Sequence, residues 1–105
     1  MPRKRLPHRH PSITRRVEHG AHSLLVTFGL DDFGRIREVF TSSFKTGQDL
    51  NLLAEDASIA LSQWLQRGAE IADVAKSLGE PPSLLGTIAQ AGAALQAELD
   101  AEGAH

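Results

Sequence analysis

The stretch SSFKTGQDLNLL, residues 42–53, holds the clearest candidate for binding chemistry in this 105-residue chain. Lys45, Thr46 and Gly47 stand directly before a predicted helix, where free backbone N–H groups and a lysine can hold an anion such as phosphate. Thr46 and Asp49 are also spaced as a capping box, in which each side chain bonds the backbone of the other residue. Because Asp49 already places a negative charge at the positive end of the helix dipole, the pattern favours a cap and leaves the anion site as the alternative.

Charge is divided unevenly along the chain. Residues 1–16 contain six of the eleven basic residues and no acidic one, whereas residues 17–105 contain five basic against thirteen acidic residues. A basic segment can bind the phosphate backbone of a nucleic acid, or it can be a solvated leader that folds back on its own acidic body. The residues of this candidate arm are Arg3, Lys4, Arg5, Arg9, Arg15 and Arg16.

Two pairs of histidines raise the question of a metal site. His8 with His10, and His19 with His22, are closely spaced, and imidazole is a ligand for zinc, copper and nickel. Glu18 is the only carboxylate near them in the sequence, and a leader that contains histidines is more often simply polar. We therefore predict no metal site.

Catalytic machinery is not evident in the sequence. The chain has no cysteine, which excludes thiolate zinc sites, iron–sulfur clusters, disulfides and cysteine nucleophiles. Serine, histidine and aspartate are present, but without a Gly-x-Ser-x-Gly elbow or paired carboxylates. We predict no catalytic residue and no cofactor, so binding is a better prediction than enzymatic activity.

The elements that must position these residues follow from the periodicity of the apolar side chains. Alternating patterns predict strands over 12–20, 24–30 and 36–41, and turn residues at 31–34 join the last two strands in a hairpin. The period then becomes helical, and it predicts a helix from Gln48 to Arg67 whose apolar stripe lies against the sheet. That stripe consists of Leu50, Leu53, Ala57, Leu61 and Trp64.

Two further helices are predicted after the first. A short one ends at Gly79, and a longer one is capped by Ser83 and carries a strip of small residues that could form a dimer contact or pack within the domain. The small residues of the strip are Gly86, Ala89, Ala93 and Ala97. Strands followed by helices predict the α+β class: a two- or three-stranded antiparallel sheet with two or three helices packed on one face.

Residues 22–79 resemble the TSCPD domain, a small module found near the C-terminus of cobalamin-dependent (class II) ribonucleotide reductases. The similar features occur in order: an LxVT-like strand, an acidic glycine turn, the segment EVF (38–40), the Lys-x-Gly loop (45–47), and a long helix that ends in Arg67 and Gly68. Such domains usually carry cysteines, whereas this chain reads SLLGT at 83–87 and has none. The resemblance implies a cysteine-less stand-alone relative of an accessory module, without ribonucleotide reduction by this chain itself.

Together these patterns predict a disordered basic leader over 1–11 and a single α+β domain over 12–105. No apolar run approaches the roughly 20 residues that a membrane span needs, so a cytoplasmic protein without membrane contact is expected. The predicted function is a non-catalytic accessory module that binds a protein partner or a second copy of itself. The expected contact surfaces are the sheet face away from the helices and the small-residue strip. Nucleic-acid binding through the basic arm is the alternative.

Overall fold

A computed structural model of the chain describes residues 11–42 and 48–103. Three strands are followed by three helices, which confirms the predicted α+β class. The elements are β1 (Ser12–His19), β2 (His22–Leu30), β3 (Ile36–Ser42), α1 (Gln48–Gln66), α2 (Ile71–Ser77) and α3 (Leu84–Gly103).

The sheet is antiparallel with the order β1-β2-β3, so β2 is its central strand. Leu24, Val26 and Phe28 of β2 are fully or almost fully buried, and because they are two residues apart they share the face that the helices cover. Val17 of β1 pairs with Leu24, and Val39 of β3 pairs with Phe28, which extends the buried face across all three strands. The predicted hairpin between the second and third strands is thereby confirmed.

The helix α1 packs against β3, but with a different face from the predicted one. Leu61 is buried as expected, whereas Leu53 is 60% exposed and Trp64 is 43% exposed. The predicted apolar stripe is therefore wrong in its orientation. The buried face consists of Ala54, Ser58, Leu61 and Leu65. The small side chains of Ala54 and Ser58 let the helix backbone approach the sheet closely. Close packing therefore favours this face, although it is less hydrophobic than the predicted one.

The helix α3 also packs closely on the domain, and it contacts both α2 and β1. The Ser83 hydroxyl accepts a hydrogen bond from the Gly86 N–H at 3.2 Å, which confirms the predicted cap. A Cβ atom at Gly92 would lie 2.2 Å from Ile71 Cδ1 and 3.0 Å from Phe28 Cε1. The absence of a side chain at Gly92 is therefore what allows α3 to meet both α2 and the sheet at this point.

Candidate binding surfaces

The predicted anion-binding residues lie outside the part of the chain that the structure describes. Lys45, Thr46 and Gly47 fall between β3 and α1, within the undescribed residues 43–47. The side chain of Asp49 is also not described. The anion site and the capping box between Thr46 and Asp49 therefore stay predictions.

Two of the six basic-arm residues are described, and both stand near acidic groups. Arg15 donates from Nη2 to Glu98 Oε1 at 3.0 Å, which ties β1 to α3. Arg16 Nε lies 3.6 Å from Glu18 Oε2 on the same strand. These two cations are therefore already close to carboxylates of the domain. The other four residues of the arm lie outside the described residues; they are Arg3, Lys4, Arg5 and Arg9.

The second histidine pair sits at the end of the β1–β2 hairpin. His19 and His22 are direct cross-strand partners, and the Nδ1 atom of His19 lies 2.8 Å from Thr87 Oγ1 of α3 in a hydrogen bond. Within residues 11–42 and 48–103, no group of three or more histidine and carboxylate side chains could hold a metal ion. His19 instead connects the hairpin to the last helix.

The small-residue strip of α3 is used mainly within the domain. Gly86 and Ala89 are buried, Ala93 is half-buried and Ala97 is exposed. A Cβ atom at Gly86 would lie 3.2 Å from Pro82 Cβ, so this glycine also permits a close internal contact. The packing alternative for the strip therefore accounts for its two innermost residues.

A second apolar stripe lies on the outside of α1. Leu53, Ala57, Ala60 and Trp64 are spaced by four, three and four residues, which places them on one flank of the helix, and we call them the outer stripe. Leu53 and Trp64 are exposed, and the two alanines between them are half-buried. Since isolated apolar residues on a surface are ordinary, the informative feature is their alignment along one helix.

A groove of about 320 Å³ runs along the opposite flank of α1, between this helix and the edge of β3. Its lining includes Glu38 and Phe40 from β3 and Glu55, Ser58 and Ile59 from α1. Phe40 is 55% exposed and Ile59 is 58% exposed, so the groove presents apolar surface together with two acidic residues. We call this feature the edge groove.

Two serines of α1 behave differently within the edge groove. The Ser62 hydroxyl accepts a hydrogen bond from the Val39 N–H at 2.9 Å and donates to the Val39 carbonyl oxygen at 3.2 Å. These bonds satisfy backbone groups that an edge strand would otherwise leave free. Ser58 is 3% exposed, and its hydroxyl has no hydrogen-bond partner among the described residues. An unpaired buried hydroxyl is unfavourable for folding.

A cluster of charged side chains joins the β2–β3 turn to the helices. Arg37 donates to the Leu65 carbonyl oxygen at 3.1 Å and to the Ala69 carbonyl oxygen at 2.8 Å, which satisfies backbone acceptors at the end of α1. The same guanidinium donates to Asp31 Oδ2 at 3.2 Å and to Glu70 Oε2 at 2.9 Å. It therefore holds the turn and the two ends of the α1–α2 connection together.

Arg35 makes a parallel set of contacts. It donates to Glu70 Oε1 through Nε at 2.9 Å and also through Nη2, and it donates through Nη1 to Asp100 Oδ1 of α3 at 2.7 Å. Gln96, which is 2% exposed, supports the same region: its side chain accepts from the Ile36 N–H at 2.9 Å and donates to the Gly34 carbonyl oxygen at 2.9 Å. The turn is thus fixed by Glu70, directly before α2, and by two residues of α3.

These contacts shift the pKa values of the cluster. Hydrogen bonds from Arg35 lower the pKa of the Glu70 carboxyl, and burial opposes this only in part. Burial acts to raise the pKa of Asp31, but hydrogen bonds from the Arg35 and Phe33 N–H groups and from Arg37 outweigh it, so the pKa is lowered. The hydrogen bond to Glu70 raises the pKa of Arg35. All of these groups are charged at neutral pH and held by their partners, so the cluster stabilises the fold.

The sequence reasoning did not identify this cluster. Arg35 and Arg37 flank Ile36 with the alternation of an exposed strand face, which is the only local signal. Their partner Glu70 follows Arg35 by 35 positions and Arg37 by 33 positions, so the pairing depends on the tertiary fold.

A sequence model of the TSCPD domain family matches residues 2–99 of the chain. The match extends beyond residues 22–79, which carry the resemblance, and it includes most of the basic leader. No curated protein and no solved structure shows a significant match to the chain. None of the helices in the described ranges is long and apolar enough to cross a membrane.

Proposed function

Because this chain belongs to the TSCPD domain family, we propose that it is a non-catalytic accessory module that acts by protein–protein association through the outer stripe of α1. The observation that supports this most directly is the exposure of Leu53 and Trp64 at the two ends of that stripe. Large apolar side chains aligned on one helix are typical of a surface that another protein covers.

The composition of the stripe suits a helical contact. Half-buried alanines lie between Leu53 and Trp64, so a second helix can approach the backbone between two larger side chains. Tryptophan is enriched among the residues that dominate binding energy, and Trp64 is the only tryptophan in the chain. The partner is a second copy of this chain or a larger enzyme of nucleotide metabolism, and the family resemblance makes a cobalamin-dependent ribonucleotide reductase the first candidate.

A direct experiment is to titrate the chain into the catalytic chain of a class II ribonucleotide reductase that lacks a TSCPD domain of its own, and to measure heat by calorimetry. The mass of the chain alone is measured by light scattering over a range of concentrations. The proposal predicts association in one of the two experiments, with a loss of at least about tenfold in affinity for Leu53→Lys, since one interface anchor is worth more than about 1.4 kcal/mol.

Phe33→Lys is the matched control for this experiment. Phe33 is 87% exposed in the β2–β3 turn, outside the outer stripe, so this variant carries the same charge change at a different exposed apolar residue. The proposal predicts unchanged affinity for the control. Equal losses in both variants, or no association by the unaltered chain in either experiment, would contradict it.

Nucleic-acid binding through the basic arm is the alternative function. The uneven distribution of charge favours it, but Arg15 and Arg16 stand beside carboxylates of the domain, which reduces the positive charge they present. If it is correct, affinity for a duplex or a single strand falls steeply between about 50 and 200 mM salt, and this dependence disappears when residues 1–16 are deleted. No binding at low salt would exclude this alternative.

A further inference from the structure

On the sheet face turned away from the helices, the acidic residue Glu38 of β3 lies in line with the first residue of β1, in a row that runs across the three strands. Ser12, Gly29 and Glu38 are aligned across β1, β2 and β3. Strands lie about 4.8 Å apart, so Glu38 stands about 10 Å from Ser12 across this row. The Pro11 carbonyl oxygen accepts a hydrogen bond from the Leu30 N–H at 3.0 Å, which fixes the junction with the leader at this end of the sheet.

The Glu38 side chain leans across the middle of that row. A Cβ atom at Gly29 would lie 3.1 Å from Glu38 Oε1 and 3.3 Å from Glu38 Cβ. The carboxylate therefore lies over the central strand, where any other residue would place its side chain. Since Gly29 has no side chain, no side chain of this row stands between the Glu38 carboxylate and Ser12 of β1.

Glu38 also lines the edge groove. The charged residues of that groove are Glu38 and Glu55, and its exposed apolar side chains are Phe40 and Ile59. An extended segment with several cations and an occasional apolar side chain complements this lining. The sequence of the leader, MPRKRLPHRHP, has that composition: four basic residues around a single leucine.

We propose that the basic leader of this chain binds across the open face of its own sheet, with Arg9 paired to Glu38 and the Arg3–Arg5 segment in the edge groove near Glu55. The reach is sufficient, because the three residue steps from Ser12 back to Arg9 span about 10 Å when extended, which equals the separation across the row. The match to the TSCPD family begins at residue 2, so the leader follows the family pattern together with the body.

The contact is weak and reversible by its nature. Exposed ion pairs contribute about 0.2–1 kcal/mol each, but attachment to the same chain gives the leader a high effective concentration at the groove. Glu38 and Glu55 would then compete with any polyanion for the cations of the leader. The domain would in this way inhibit nucleic-acid binding by its own leader. This inference is independent of the proposed function, since the outer stripe lies on the other flank of α1.

The experiment uses the full chain with the single substitution Pro2→Cys, which leaves every basic residue in place. Because the chain has no cysteine, a nitroxide label attaches at that position alone. Amide signals are then recorded by NMR with the label oxidised and reduced. The proposal predicts selective loss of signal intensity at 38–41 and in the facing part of α1, and recovery of that intensity at about 1 M salt, where the Debye length is about 3 Å.

Charge variants test whether the two glutamates cause the effect. Glu38→Gln combined with Glu55→Gln should restore the signals at low salt, whereas Asp73→Asn combined with Glu102→Gln, an equal charge change at exposed positions of α2 and α3, should not. Signal loss spread evenly over the chain, no loss, or loss that survives both high salt and the double substitution would overturn the proposal. Isotope-labelled chain without nitroxide, mixed with spin-labelled chain without isotope, should show no loss; a loss there would assign the contact to a second copy.

Discussion

Replacing Arg37 with methionine should destabilise the protein strongly, although Arg37 belongs to neither the outer stripe nor the lining of the edge groove. Arg37 is 24% exposed and donates to two backbone carbonyls and two carboxylates. Methionine keeps much of the aliphatic stem but none of the donors, so the Leu65 and Ala69 carbonyl oxygens lose their donor and two carboxylates lose one cation. Hydrogen bonds with a charged partner contribute about 1.5–3 kcal/mol each, but they are not additive and the exposed acceptors regain water.

We therefore expect the free energy of unfolding to fall by about 2–3 kcal/mol in Arg37→Met, which for a domain of this size lowers Tm by about 10–20 °C. Chemical denaturation monitored by circular dichroism measures the change. Arg67→Met is the matched control: this arginine is exposed just after α1, and its replacement should change stability by less than about 0.5 kcal/mol. An Arg37→Met variant as stable as the control would refute the role assigned to the cluster.

The pH dependence of the same variant provides a second readout of this prediction. The pKa values of Asp31 and Glu70 are lowered from ordinary values of 3.8 and 4.5, so the unfolded chain binds more protons than the folded one in acid. The stability from these groups is fully present above about pH 5 and is lost as the pH falls through the folded pKa values. Because Arg37 helps to lower both, the acid loss should be smaller in Arg37→Met, and an identical slope in both proteins would contradict the assignment.

The remaining predictions concern close packing and buried polar groups. Ser58→Ala should raise stability by about 1 kcal/mol because it removes an unpaired buried hydroxyl, whereas Ser62→Ala, one turn along the same helix, should lower it by about 1 kcal/mol because Val39 loses both partners. Changes of the same sign in thermal denaturation would contradict this. Gly92→Ala should cost about 1–3 kcal/mol through overpacking, and Gly79→Ala, where a Cβ meets nothing within 4 Å, should be tolerated. Equal stability of the two glycine variants would argue against the close contact.

Much of the fold could be predicted because local signals and the tertiary structure agree. Alternating apolar residues over 24–30 produce the central strand, and Ser83 begins α3 as a cap. Gly68 follows α1 with a φ of 105°, a backbone conformation that side chains disfavour, and this is why the predicted end of the helix is correct to within a residue.

The orientation of α1 could not be predicted from hydrophobicity. Two adjacent faces of this helix are apolar, and the more hydrophobic one leaves Leu53 and Trp64 exposed. The buried face contains Ala54 and Ser58, whose small size matters only when the distance to β3 is known. The same limit applies to Arg37, whose role depends on acceptors in a helix that follows it by almost thirty positions.

The candidate surfaces were foreseen only in part. The charge imbalance indicated the leader, but Glu38 became a candidate contact for it only when the strand register placed this carboxylate beside Gly29 and in line with Ser12. The prediction for Lys45, Thr46 and Gly47 lies outside the described residues and stays a prediction. The outer stripe is left partly exposed because α1 is buried along Ala54, Ser58, Leu61 and Leu65, and not along the stripe that was predicted to be buried.

The most direct test of the central claim, that the outer stripe of α1 is an association surface, is the ¹⁹F NMR signal of the chain grown with 5-fluorotryptophan. Trp64 is the only tryptophan, so the spectrum contains one resonance, which reports on this surface alone. The claim predicts that raising the chain concentration, or adding the reductase catalytic chain, moves or broadens the resonance and removes its shift between H₂O and D₂O. A resonance that keeps its position, width and solvent shift under both conditions would contradict the claim.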